Sequence, residues 1–160
     1  MSDITQIRAR IETADVDRAA TDAWIYLAIA GREFCLDPGS GNGYFERGVK
    51  TCFVLGEQGG SDGGEAGFNN VPVEDAQWND PRTPQLDTED LNLAPAYIRF
   101  ATASSNPGWC VERVKVTVIA RGGEQHHFDN YRLREVKDNR QLWLHERYGE
   151  RLFLYNVTSD

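Results

Sequence analysis

Over residues 7–13 the chain alternates strictly, with Ile7, Ala9, Ile11 and Thr13 on one parity and Arg8, Arg10 and Glu12 on the other. A helix would smear these two sets around its circumference, whereas a strand sends neighbours to opposite faces and separates them. A helical reading through Ile4, Ile7 and Ile11 competes at this first segment. The alternation returns at Ile98, Phe100 and Thr102, and again at Val114, Val116 and Val118 set against Arg113, Lys115 and Thr117. Sheets patterned this way have one dry face, and dry faces must be stacked.

The rest of the chain extends the pattern. Residues 24–30 are apolar on both faces, as a central strand should be, and Gly31 turns the chain into 32–36. Residues 50–55 are β-branched and aromatic, which suits another strand. Gly122-Gly123 is a hairpin signal from which 125–133 should return antiparallel. After a turn at Asp138-Asn139, 141–145 and 151–156 are expected to pair with each other across Tyr148-Gly149. Seven to nine short strands without a long helix, repeat or heptad predict an all-β fold. The expected form is an antiparallel sandwich of two roughly four-stranded sheets. Residues 1–160 fit one domain, interrupted at about 57–92 by a Gly-, acid- and Pro-rich insertion too long for a hairpin loop. A solvated insertion is favoured there over a functional lid.

Composition narrows the function. Seven Phe, four Trp and six Tyr argue for a packed globule, and a formal net charge of −8 argues against a protein that neutralises nucleic-acid phosphates. The same charge opposes an anionic membrane unless a bound cation or a local basic patch reverses the field. Arg132, Arg134, Lys137 and Arg140 are interleaved with Glu135 and Asp138 and read as a solvated face; the exception is a local patch formed if Arg113, Lys115 and Arg121 join them on one surface. Cys35, Cys52 and Cys110 are an odd set with no metal-ligand spacing, and the start shows no secretory pattern. A cytoplasmic location is the expectation, with leaderless export left open.

Two loops carry most of the oxygen. The first holds Asp15, Asp17 and Asp22, and the second runs over 37–43 with Asp37 and Asn42. Gathered at one rim, such ligands suit a hard cation such as calcium, though they equally serve solubility.

Several landmarks stand in one order. Ala20-Thr21-Asp22-Ala23 precedes an apolar strand, and Asn42-Gly43-Tyr44-Phe45-Glu46-Arg47-Gly48 precedes Thr51-Cys52-Phe53-Val54-Leu55. Tyr97-Ile98-Arg99-Phe100 then precedes Pro107-Gly108-Trp109-Cys110-Val111-Glu112-Arg113-Val114. This series resembles the PLAT (polycystin/lipoxygenase/alpha-toxin, or lipoxygenase-homology) domain, with Gly-Thr-Asp-Ala, Phe-Glu-Arg-Gly and Gly-Trp motifs at strand edges. The resemblance covers residues 5–120 apart from the insertion. It implies an eight-stranded sandwich and a non-catalytic module that docks onto membranes or partner proteins, in several members with calcium at the loop rim. Ala20 replaces the family's usual glycine. Residues 103–107 lack the acid often found in the third loop, and Gly43 stands where calcium-binding members are acidic. Those losses thin the ligand set.

The calcium candidates are Asp22 and Asn42 with the carbonyl of Thr21, supported by Asp15, Asp17 and Asp37. The plainer alternative is that Asp22 caps a turn and the other acids solvate loops. Tyr44, Trp109, Trp78 and Phe68 are the binding candidates, though a Trp placed as Trp109 is more often core than anchor. Glu46 and Arg47 are read as an ion pair fixing their loop. His126, His127, Asp129 and Cys110 form the one acid-base cluster worth naming, and adjacent strand residues face opposite ways. The chain is therefore read as a non-enzymatic binding module. A protein partner is slightly favoured over membrane lipid, with calcium as an assisting cofactor and no nucleic acid. Two alternatives stay open: an assembly subunit pairing sandwiches at their edges, and a small hydrolase-like enzyme using the insertion as a lid. Oligomeric state is not legible.

Overall fold

The computed structural model describes residues 1–36, 43–58, 66–73, 79–101, 108–135 and 140–158. Ten strands run in order: β1 (Ile4–Thr13), β2 (Trp24–Ile29), β3 (Arg32–Cys35), β4 (Lys50–Gly56), β5 (Asn69–Pro72), β6 (Ala96–Ala101), β7 (Gly108–Ala120), β8 (Gln125–Asp129), β9 (Leu142–His145) and β10 (Arg151–Asn156). A 3-10 turn at Thr88–Asn92 and a short helix α1 (Tyr131–Glu135) complete the described elements. One layer has the order β3-β2-β6-β10 and the other β5-β4-β1-β7-β8, with β9 also on β7. The expected all-β, PLAT-like sandwich is the fold observed.

The alternating segments behave as strands because their dry parity finds a partner. Ile7, Ala9, Ile11 and Thr13 are buried while Arg8, Arg10 and Glu12 are half-buried on the outer face. Val114, Val116 and Val118 continue the inner face across the β1·β7 ladder, opposite Ile11, Ala9 and Ile7. Ile25, Leu27, Ile98 and Phe100 supply the facing layer to one contiguous core. Each such side chain fully buried stabilises the fold by about 1.5–3 kcal/mol. The β2–β3 turn is the expected one, with Ala30 and Gly31 both at positive φ (54° and 82°) between the paired residues Ile29 and Arg32, the backbone a tight hairpin demands.

Three expectations are corrected. β4 and β5 pair in parallel, so the sandwich is not wholly antiparallel. The long connection between them allows the return that a parallel neighbour requires, and Pro72 sits in a strand at the end of the layer, where a missing N–H is tolerated.

The segment after Gly123 does not remain extended to Leu133. β8 ends at Asp129, because Asp129 Oδ1 accepts from the Asn130 amide and Asn130 Oδ1 accepts from the Leu133 amide, starting α1.

β9 and β10 do not pair with each other. A bridge between His145 and Gly149 closes a tight loop, and β9 lies instead along Gly108–Val111 of β7. β7 is long: β8 pairs only with Lys115 to Ile119, so the stretch of edge beyond is open until β9 fills it. β10 passes from one layer to the other, pairing β6 through Arg151 to Leu154 and β8 through Tyr155 and Asn156.

Residues 80–88 of the insertion are tied to β1 and to the β2–β3 turn. Ile4 N donates to Leu86 O (2.9 Å), Thr88 N to Ser2 O (2.9 Å), and Arg32 Nη2 to Asp80 O (2.9 Å). These contacts lie at the Ile4 end of β1, a ten-residue strand that ends at Thr13, and so about 30 Å from the opposite rim. Hydrogen bonds from Arg82 hold the Asp80 carboxyl below its usual range against the opposing effect of burial. Hydrogen bonding by Arg99 does the same for Glu33. A carboxyl with a lowered native pKa stabilises the fold above its unfolded pKa, and that contribution is lost as pH falls through the native value. Urea midpoints should therefore drop as pH falls below about 4, and the drop should be smaller in Asp80→Asn and Glu33→Gln. An acid limb identical to the wild type in both variants would dismiss these two carboxyls as its cause.

A candidate recognition cleft at the rim

The loop after β1 and the stretch before β4 are tied together at one rim. Thr13 N donates to Val49 O (3.1 Å), Gly48 N to Ala14 O (3.3 Å) and Thr21 N to Phe45 O (3.2 Å). Arg47 Nε meets Asp15 Oδ1 at 2.8 Å. Arg47 thus pairs with the acid of the neighbouring loop and not with Glu46, correcting that expectation. The same loop wraps the start of β7, where Ala14 N donates to Cys110 O and Cys110 N donates to Ala19 O.

Beyond this junction the loop, the first residue of β7 and the β9 turn enclose an open cleft of about 720 Å³. Asp17, Arg18 and Ala20 form one wall, and Trp143, His145 and Tyr148 the other, with Gly108 at the base. Trp143 is 40% and Tyr148 79% exposed. The His145 and Tyr148 rings lie 4.7 Å apart, and His145 Nδ1 accepts from the Arg147 amide, which orients the imidazole. Gly108 lets β9 come close, since a Cβ there would stand 3.4 Å from both Leu144 O and the His145 ring. Arg18 adopts φ 62°, a conformation uncommon outside glycine that the surrounding structure must hold.

Of the residues anticipated from sequence, Trp109 is corrected as a binding candidate and takes its core reading. It is 0% exposed, stacks edge-on to Phe45 at 5.4 Å and donates from Nε1 to Thr13 Oγ1 at 3.0 Å. It is a core residue that no partner can reach. Tyr44 is half-buried with its ring edge-on to Phe53 at 5.7 Å. Phe68 is half-buried just before β5, at the rim end of β4 by the Thr51–Asn69 register. Asp22 is exposed, and buried Thr21 takes the Ala23 amide on its hydroxyl at 3.1 Å. Asp37, Asn42 and Trp78 lie outside the described residues.

Of the calcium candidates, Asp15, Asp17, Thr21 and Asp22 lie among the described residues. Asp15 is held by Arg47, and no group of three His, Cys, Asp or Glu side chains among the described residues is placed to share an ion. Hard cations of this kind take six to eight oxygens.

The acid-base cluster does not assemble into a catalytic group among the described residues. Cys110 is buried and its thiol is pushed up to about 11 by burial, far from the thiolate a nucleophile needs. His126 contacts Glu124, His127 contacts Thr117, and Asp129 is taken by Arg113.

Sequence reasoning missed the cleft residues Arg18, Trp143, His145 and Tyr148. The signal was available at Trp143, which stands between Leu142 and Leu144 and must face away from them in a strand.

No family model and no curated protein matches the chain. Among solved structures, the alpha toxin from Clostridium absonum is similar at 19% identity and a TM-score of 0.54, covering 96% of this chain and 32% of the toxin. An engineered LOX is similar at 19% identity and a TM-score of 0.50, covering 94% of this chain and 16% of the enzyme. The chain therefore spans about a third of the toxin and about a sixth of the enzyme. What it shares with them is a fold, the PLAT-like β-sandwich.

Proposed function

We propose that the chain is a non-catalytic recognition module whose rim cleft takes a segment of a partner protein. The carrying observation is the pair of exposed rings, Trp143 and Tyr148, turned into one concavity beside Asp17 and Arg18. Large aromatics left in water at a cleft offer contact area at low entropic cost, and such residues dominate binding energy in protein interfaces. Arg18 and Asp17 add one charge of each sign for orientation. The cleft is concave, which suits a peptide segment better than a flat bilayer, and the chain's net charge of −8 disfavours anionic lipid. The contacts of residues 80–88 lie at the other pole, which speaks against that part of the insertion serving as a lid over this cleft.

The test places a photo-cross-linking side chain at Tyr148 and, as control, at Arg82 on the far pole. The expected result is a defined protein adduct from position 148 alone. Trp143→Ala should weaken that capture by about 2 kcal/mol, roughly thirtyfold, without changing the melting temperature. Equal adducts from both positions would end the assignment to the rim.

A second reading, membrane docking, is favoured by Trp24, which is 42% exposed two residues beyond Asp22. Co-sedimentation with vesicles that requires Trp24 would establish it in place of the protein partner.

A further inference from the structure

The side chains of the rim cleft are rich in hydrogen-bond donors and poor in acceptors. His145 Nδ1 accepts from the Arg147 amide at 2.9 Å, so the neutral ring carries its proton on Nε2 and is a donor there. The Cδ2 edge of the ring, next to Nε2, lies over the base of the cleft, where a Cβ on Gly108 would stand 3.4 Å from it. Trp143 brings an indole N–H that can only donate, and Arg18 a guanidinium that does the same. Tyr148 is 79% exposed, and its hydroxyl is free to turn either way. Among the described residues no partner takes the indole, the hydroxyl or the guanidinium. Against these donors the cleft sets one carboxylate, Asp17. Neither Asp17 nor Arg18 is in an ion pair among the described residues.

Each form of a partner's backbone answers such a wall differently. A helix spends its carbonyls on its own N–H groups and leaves the donors unanswered. An ordinary extended segment brings an N–H with every carbonyl, and Trp143, His145 and Arg18 hold nothing to receive them. Proline keeps the carbonyl and lacks the N–H. A run of prolines also stands in the polyproline II form before it binds, with its carbonyls unspent and little entropy left to lose. Aromatic-lined grooves suit the flat faces of such a run, and Trp143 and Tyr148 supply the rings. Charge agrees: Asp17 lacks a cation, and a chain of net charge −8 draws a basic segment.

Given a cleft that takes a protein segment, as proposed above, we infer that this segment is proline-rich and binds as a polyproline II helix. Its carbonyls accept from Trp143, His145 and Arg18, and a lysine or arginine beside the prolines meets Asp17.

The probe is a synthetic peptide of about nine prolines, three turns of that helix, ending in a pair of lysines. The control peptide has alternating glycine and serine in place of the prolines. Each is titrated into the intact chain while the four indole N–H resonances are followed. The proline peptide should move the Trp143 resonance, leave that of buried Trp109 in place, and bind about tenfold tighter than the control. Trp143→Ala should weaken it about thirtyfold at an unchanged melting temperature. Asp17→Asn should weaken it about threefold and leave binding of a peptide without the lysines as it was. A Trp143 resonance unmoved at about 1 mM proline peptide, or equal affinity for the control, overturns the proline-rich assignment. The photo-cross-linker at Tyr148 reports on the cleft whatever the segment's sequence. Adducts from position 148 that map to segments without proline keep the cleft and overturn the polyproline form, whereas no adduct there together with an unmoved Trp143 overturns both.

Discussion

Trp109→Ala is expected to destabilise the fold by about 3–5 kcal/mol, a large share of the about 5–15 kcal/mol that holds a domain together. The size follows from position: the indole is fully buried at the start of β7, against Phe45, which itself stacks on Phe53. Removing it leaves a void where the two rim loops meet β1 and orphans the buried Thr13 hydroxyl that its N–H contacts. Trp109→Phe separates these effects. It keeps most of the volume and loses the hydrogen bond, so a cost of about 1–2 kcal/mol is expected. Urea unfolding with unchanged m-values measures both. An alanine variant within about 0.5 kcal/mol of the parent would mean that the indole is not where this structure puts it.

Gly56→Ala is expected to cost about 3 kcal/mol or more. Gly56 closes β4 opposite Gln6 at φ +91°, a backbone state that side chains rarely tolerate. A Cβ there would stand 2.5 Å from the Thr5 carbonyl oxygen and 3.2 Å from the Pro81 ring. The backbone oxygen belongs to the central strand and cannot swing aside. Gly67→Ala is the matched control: its φ is +86° and nothing lies within 4 Å of the added carbon. It should cost only about 1 kcal/mol from the left-handed backbone. Equal losses in the two variants would remove crowding by Thr5 from the account.

The layers of the fold were legible because burial imposes period two, and Ile7, Ala9 and Ile11 obey it on one side of the ladder as Val114, Val116 and Val118 do on the other. The β2–β3 and β7–β8 turns were legible through Gly31 and Gly122-Gly123, whose backbone freedom is local chemistry. Pairing across the chain was not. Nothing in Leu142 to His145 states that an edge of β7 stands open to receive it, because that edge exists only once β8 has stopped at Asp129. The stop itself was readable in Asn130, a good helix cap placed after an acid, and was overlooked beside the hairpin signal.

At the rim the loop after β1 meets residues 45–47, since Thr21 bonds Phe45 and Asp15 bonds Arg47, while residues 37–42 of the second oxygen-rich loop lie outside the described residues. The cleft beside it was not legible, for a physical reason. Carboxylates advertise a metal in any sequence, whereas an exposed Trp143 and a buried Trp109 are the same letter, and only the partner strand decides which meets water. The grouping of the basic residues was half visible. Arg113, Lys115 and Arg134 do converge, but Arg121 is drawn to the other end of β7, where it pairs with Asp3.

The passage of β10 between layers bears on how such a molecule is made. During synthesis residues 151–156 are translated after every other strand, so the flanks of β6 and β8 stand bare together until they emerge. A nascent chain in that state resembles an unzipped garment. Any neighbour offering an extended segment can fasten to either side, and the equivalent strand of a second copy is the best-matched intruder.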